Sequence, residues 1–369
     1  MLRAGIVGLP NVGKSTLFNA VTRSHKAPAE NYPFCTIEPN LGVVSVPDAR
    51  LGQIATVVRV KKEIPAAFEF VDIAGLVKGA SKGEGLGNKF LSHIREVDAL
   101  VEVVRCFDDP DIAHVAGDTN PVRDIEIITT ELILSDLDSI AKRLEKISRD
   151  VKRADKQALL EASLLEQYRA HLNAGKPANT LAASFAPEEK AIVRSFYLLT
   201  DKPIIFAANV KEADLLNAES LPYVAAVRNY ARAHHACDTV VVCAQLESDL
   251  GDLSPEEGKA YLAELGVKEA GMDALIRSTY ELLGLWTFFT FNENEVRAWT
   301  LRAGTTALKA AGTIHTDFEK GFIKAEAVNS ADLVKEGSVG HARETGHYRI
   351  EGRDYVVRDG DVLLFKVSV

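Results

Sequence analysis

The segment Gly8-Leu9-Pro10-Asn11-Val12-Gly13-Lys14-Ser15 constrains this chain more than any other, because it fits GxxxxGK[ST] without a gap. The apolar run from Ala4 to Val7 reads as a strand before it. Leu17 to Thr22 reads as the start of a helix after it, which is the context the pattern requires. The residue types follow from the chemistry of holding phosphate. Glycines let the backbone curl so that successive N–H groups point inward, and the helix opening at the loop adds the positive end of its dipole. Asn11, Val12, Gly13, Lys14, Ser15 and Thr16 are therefore expected to cradle a nucleoside triphosphate. Lys14 supplies a catalytic positive charge at the β- and γ-phosphates. The Ser15 hydroxyl is a Mg²⁺ ligand, and Thr16 helps at the α-phosphate end.

Further apolar runs at Leu41–Val46, Ala67–Val71, Ala99–Val104, Pro203–Ala208 and Thr239–Ala244 read as strands. Most are continuous rather than alternating, which suits parallel strands covered on both faces by helices, so a doubly wound α/β sheet is expected. The run Phe68–Val71 leads into Asp72-Ile73-Ala74-Gly75. An acid at that strand end suits the Mg²⁺ shell, reached through water, and the Gly75 N–H can sense the γ-phosphate. Thr36, in the polar loop between the first helix and the next strand, is the natural further Mg²⁺ ligand.

Two stretches break the strand–helix alternation. From about Asp124 to Phe196, within an insertion placed at 124–200, no strand signal occurs; Ile125, Ile128, Leu132, Leu137, Ile140 and Leu144 recur at helical spacing, as do Leu159, Leu160, Leu164 and Leu165. A helical hairpin inserted in the core domain is expected there. Residues 141–169 hold eight Lys/Arg against five Asp/Glu, in a chain whose net charge is -9. That local reversal suits either a solvated helix face or an arm that touches a polyanion such as RNA. Beyond Leu283, short strands are expected at Trp286–Phe291, Val296–Leu301, Ile323–Ala327, Tyr355–Val357 and Val362–Val367, with a helix starting at Ser330 and a tight turn at Arg358-Asp359-Gly360-Asp361. With 369 residues, more than one domain is expected: 1–283 around the phosphate loop, interrupted by the insertion, and 284–367 as a small α+β module.

The base and the hydrolytic water are read from substitutions. Asn-Lys-x-Asp after a core strand reads guanine in enzymes of this architecture, but here the segment is Asn209-Val210-Lys211-Glu212. A carboxylate reads guanine by accepting from N1–H and N2–H₂, and lengthening Asp to Glu displaces it by about one bond. Weakened GTP selectivity follows, with Asn209, Val210 and Glu212 as the base-side residues. Leu76 stands where a water-orienting Gln is found in Ras-like enzymes, and it cannot orient water. Either intrinsic hydrolysis is slow, or another group or a partner supplies the positioning. His114, after Phe107-Asp108-Asp109-Pro110, is a candidate catalytic residue; an ordinary surface-loop histidine is the alternative.

The four cysteines, at 35, 106, 237 and 243, form no CxxC pair and no metal-ligand spacing, which suits a reduced intracellular protein. No apolar run approaches the roughly 18 residues of a membrane span. Met1 passes straight into a strand, so no signal peptide is expected.

The glycine-rich run from Gly79 to Asn88 resembles the second switch of Obg-related GTPases. The Asn-x-x-Glu at 209–212, the run Tyr32-Pro33-Phe34-Cys35-Thr36-Ile37-Glu38-Pro39-Asn40 and the C-terminal module narrow the resemblance to Obg-like ATPases of the YchF type, over nearly the whole chain. The resemblance implies ATP preferred over GTP, with Mg²⁺, a coiled-coil insertion, and a C-terminal TGS module of β-grasp form. It also implies association with the ribosome or its large subunit, through rRNA and ribosomal protein, and links to translation and stress responses. A cytoplasmic monomer with no membrane or DNA partner is expected. A GTP-hydrolysing switch, or a non-catalytic adaptor with nucleotide as a structural ligand, are the alternatives.

Overall fold

The computed structural model describes residues 2–24, 40–73, 86–112, 117–182, 184–235 and 237–368. Among these the chain groups into two compact units, one within Met1–Ser24, Ile37–Gly42 and Glu69–Leu275, the other within Val43–Phe68 and Ile276–Val369. This contact-defined division differs from a boundary at 283/284, because it groups Val43–Phe68 with the C-terminal residues.

The first sheet has the order β2-β4-β1-β5-β6-β7, where β1 is Arg3–Val7, β2 Leu41–Ser45, β4 Ala67–Asp72, β5 Ala99–Arg105, β6 Ile204–Asn209 and β7 Thr239–Val242. β1 pairs in parallel with β4 and β5, and β6 in parallel with β5 and β7. All seven residues of β5 are buried, as expected of a central strand covered on both faces. Register brings the strand ends together: Ile6 lies beside Asp72, and Asn209 beside both Arg105 and Val242. The carboxyl ends of β1, β4, β6 and β7 therefore share one edge, where open α/β sheets bind ligands. The helices of this unit are α1 Lys14–Ser24, α3 Leu86–Glu96, α4 Pro121–Lys152, α5 Lys156–Asn173, α6 Asn179–Ala182, α7 Pro187–Arg194, α8 Pro222–His235, α9 Ala244–Leu250, α10 Pro255–Glu264 and α11 Gly271–Leu282, which runs across the 275/276 division.

The insertion is helical, as the spacing predicts. α4 starts at an Asn120 cap with Pro121 in its first turn, and α5 starts at an Asp155 cap. The arm has its own core of Ile133, Ile140, Leu164, Leu165, Tyr168, Leu172, Phe185, Val193 and Phe196. Its base is pinned by the buried Asp136 carboxylate, which accepts from the Leu199 and Thr200 N–H groups at 2.7 and 2.9 Å. Leu159 and Leu160 depart from the predicted apolar face: both are exposed, because α5 turns the Leu164–Leu165 side toward α4.

The second sheet has the order β11-β10-β12-β8-β9-β3, with β3 Lys62–Ile64, β8 Leu285–Phe291, β9 Glu295–Arg302, β10 Phe322–Asn329, β11 Arg349–Glu351 and β12 Asp361–Val367. α2 Ala49–Val58, α12 Ala307–Ile314, α13 Thr316–Lys320, α14 Ser330–Glu336 and α15 Val339–Glu344 complete this unit. The predicted strand at Tyr355–Val357 reduces to a single bridge, Thr306 to Val356. The helix at Ser330 forms as expected, but the side chain that caps it is Asn329, accepting from the Ala331 N–H at 2.9 Å. The predicted turn also forms, with Gly360 at φ +85° and Asp361 N–H donating to the Arg358 carbonyl. Glycine suits this position because L side chains rarely adopt that φ, and a Cβ would also press on the Arg50 guanidinium at 2.9 Å. That guanidinium bridges Asp48 and Asp359, fastening α2 to the turn.

Candidate functional site

The loop after β1 adopts the backbone that the glycines predict. Gly8 has φ +151°, Gly13 φ +98° and Asn11 φ +63°. Asparagine tolerates the left-handed region better than most side chains, which explains its presence mid-loop. Gly13 is required twice over, because a Cβ there would lie 2.4 Å from the Asn209 amide nitrogen. α1 begins with Leu17 N–H donating to the Gly13 carbonyl.

Lys14 is 8% exposed and donates from Nζ to the Leu9 carbonyl at 2.6 Å. Burial pulls its ammonium down to about 8, partly offset by the negative field of Asp72. The Asp72 carboxyl is pushed up by burial, and is held back by Lys14 and by a hydrogen bond from Ser15. Its Oδ1 is buried without a hydrogen-bond partner among the described residues. Ser15 is exposed and Thr16 half-buried. The loop, Lys14, Ser15 and Asp72 thus converge as the sequence predicts, at the ends of β1 and β4.

At the end of β6, Asn209 is 4% exposed and acts as a staple. Its amide nitrogen donates to the Val12 carbonyl at 2.9 Å, and its amide oxygen accepts from the Ala244 N–H at 2.9 Å. The structure therefore commits this amide to shaping the phosphate loop. Val210 is buried and its N–H donates to the Val242 carbonyl, so its side chain belongs to the core. Lys211 turns toward Asp109, 3.4 Å away, and over the Phe107 ring. Glu212 accepts from the Tyr261 hydroxyl at 3.2 Å.

Sequence reasoning missed three contributors. Arg105, fully buried, donates to the carbonyls of Phe107, Asp109 and Ile112 and so shapes the loop after β5. Its signal was a lone arginine closing an apolar strand. Tyr261 and Ala244 carried no signal, since only the fold brings them to Glu212 and Asn209. Thr36, Gly75, Leu76 and His114, with the glycine-rich stretch at 79–85, lie outside the described residues. Among the described residues no cluster of three or more His, Cys, Asp or Glu side chains could hold a metal.

The basic arm holds charges engaged in its packing and charges exposed to solvent. Arg143 is structural: its guanidinium pairs with Glu161, bonds the Ser195 carbonyl and hydroxyl, and covers the Phe196 ring. Lys142 and Arg169 pair with acids on their own helices. Lys146, Arg149, Lys152 and Lys156 are exposed near the tip.

A parallel sheet, a GxxxxGKS loop and a carboxylate on the neighbouring strand define a P-loop nucleoside triphosphatase. Residues 3–135 match the family described as 50S ribosome-binding GTPase. Residues 285–368 match YchF-GTPase_C, described as a protein of unknown function (DUF933). The "Ribosome-binding ATPase YchF" of Bacillus subtilis is 50% identical over 368 residues, covering 100% of both chains. That of Haemophilus influenzae is 49% identical, covering 100% of this chain and 99% of its own. The solved YchF GTPase of Schizosaccharomyces pombe superposes with a TM-score of 0.89 at 38% identity, covering 99% of this chain and 97% of that one. The chain belongs to the YchF family.

Proposed function

We propose that this chain is a ribosome-associated ATPase whose nucleotide state is read out in translation and stress responses. The observation that carries the reading is the buried Lys14 ammonium beside the Asp72 carboxylate, at the mouth of a loop shaped for phosphate. Lys14 bonds the Leu9 carbonyl within the loop, and a triphosphate offers it β- and γ-oxygens instead. Backbone N–H groups from Val12 to Thr16 and the start of α1 hold the remaining phosphate charge. Asn209 keeps Val12 in place, and Glu212 lies on the base side.

The unpartnered Asp72 Oδ1, with the Ser15 hydroxyl on the same carboxyl, suits a magnesium ion. Ser15 would hold it directly, Asp72 through water, and Thr36 as a further ligand. Such an ion neutralises charge on the β- and γ-phosphates. Gly75 is assigned to the γ-phosphate and His114 to the attacking water, since Leu76 cannot orient it. His114→Ala tests this in single-turnover hydrolysis; an unchanged rate removes His114.

The domain reading is a nucleotide unit over 1–283, interrupted at 124–200, and a TGS module over 284–367. A cytoplasmic location and a monomeric state belong to the same reading. The exposed Lys146, Arg149, Lys152 and Lys156 are the cations assigned to rRNA. Their joint reversal to glutamate should abolish co-sedimentation with ribosomes, and survival of co-sedimentation removes the arm as the contact. Arg143 is left intact because it holds the arm together.

Competitive titration decides the nucleotide. GTP binding much tighter than ATP overturns the ATPase reading. The hydrophobic Leu76 favours a second reading, a nucleotide-bound adaptor, and that reading requires undetectable turnover with ribosomes present.

A further inference from the structure

The turn that follows β6 is clamped residue by residue. Lys211 is drawn to Asp109 and Phe107, and the next residue, Glu212, is drawn the other way to Tyr261. Tyr261 sits on α10, a helix whose start is fixed by a reciprocal cap: Ser254 accepts from the Glu257 N–H, and the Glu257 carboxylate accepts from the Ser254 N–H. The hydroxyl that reaches Glu212 Oε1 at 3.2 Å therefore comes from a well-anchored helix.

Guanine presents two adjacent donors, N1–H and N2–H₂, and a carboxylate reads them with both oxygens at once. Adenine presents one donor, the N6 amino group, beside an acceptor at N1. We propose that Tyr261 is a specificity-determining positioning residue: its hydroxyl holds Oε1 and so fixes the direction of the Glu212 carboxylate, in an orientation that serves the single amino donor of adenine and not the paired N1–H and N2–H₂ of guanine. This rests on the reading of Glu212 as a base-side residue. Discrimination against GTP is thus enforced by an unmade hydrogen bond rather than by a clash.

The test uses the full-length protein, with ATP and GTP affinities measured by competition against a fluorescent nucleotide for the wild type, Tyr261→Phe, Glu212→Ala and the double variant. Phenylalanine keeps the ring and removes only the hydroxyl. Tyr261→Phe should reduce the ATP-over-GTP preference by about tenfold, mostly through tighter GTP binding. The double variant should match Glu212→Ala alone, because both changes act through one carboxylate. If Glu212→Ala shifts the preference and Tyr261→Phe leaves it unchanged, the role of Tyr261 is overturned while the base-side reading stands. If neither changes it, Glu212 does not read the base and both fall.

Discussion

Replacing Asn209 by alanine removes a staple between two segments that the chain places far apart. The amide makes two buried hydrogen bonds of 2.9 Å, to the Val12 carbonyl and from the Ala244 N–H. Alanine leaves both backbone groups without that partner in a site where Asn209 itself is 4% exposed. Stranding a buried polar group costs about 1–3 kcal/mol, so the pair costs about 2–6 kcal/mol. Part of this appears as lower global stability. The rest falls on the loop, whose left-handed Asn11 and Gly13 need external support. A binding-competent loop conformation made less populated weakens apparent affinity by the same factor, so a local cost of about 3 kcal/mol means roughly hundredfold weaker ATP binding. Calorimetric titration measures the affinity, and urea unfolding measures the stability. Asn209→Asp separates the two bonds: it keeps an acceptor for Ala244 and sets a carboxylate against the Val12 carbonyl, so it too should bind ATP weakly. Native-like ATP affinity and unfolding midpoint in Asn209→Ala would refute the staple.

Three further outcomes follow from the same geometry. Lys14, at about 8 in the free protein, is raised by a bound polyphosphate, so binding takes up a proton: ATP affinity is full below pH 8 and falls as the pH rises past it. Titration at alkaline pH in buffers of different ionisation heat should show that uptake, and none would contradict the role of Lys14. Gly13→Ala places a Cβ 2.4 Å from the Asn209 amide at φ +98°, and should weaken ATP by about tenfold or more, read by the same titration. Glu247 is buried, accepts from the Met272 N–H, and is pushed up from 4.5 to about 7 by burial. Its folded value exceeds its unfolded one, so its contribution is present below pH 4.5 and is lost as pH rises through 7. Glu247→Gln should flatten that part of the stability-against-pH curve, and an unchanged slope would assign it to other groups.

Local pattern was enough for a large part of this molecule. The phosphate loop was legible because its chemistry is contiguous: strand, curl and helix follow one another within the backbone of Arg3 to Ser24. The core strands were legible because burial on both faces leaves an uninterrupted apolar run, and the arm because Ile125, Ile128, Leu132 and Ile140 keep a helical period. The short β3 was not legible: Lys62-Glu63-Ile64 shows little apolar character and becomes a strand by pairing with Glu295-Val296-Arg297. Tyr355–Val357 had strand composition and became a bridge, because a ladder needs a partner in register as well as propensity.

Sequence alone determined that this chain carries a GxxxxGKS loop between a strand and a helix, and that a charged helical arm is inserted in the same fold. Tertiary structure decided which partners the polar residues after β6 and on the arm take. It assigned Asn209 to Val12, Glu212 to Tyr261, and Arg143 to Glu161 and Ser195 rather than to solvent. The reason is physical: a periodic pattern reports which face of an element is apolar, whereas the partner of a polar group depends on distance and direction between elements that only the folded chain brings together.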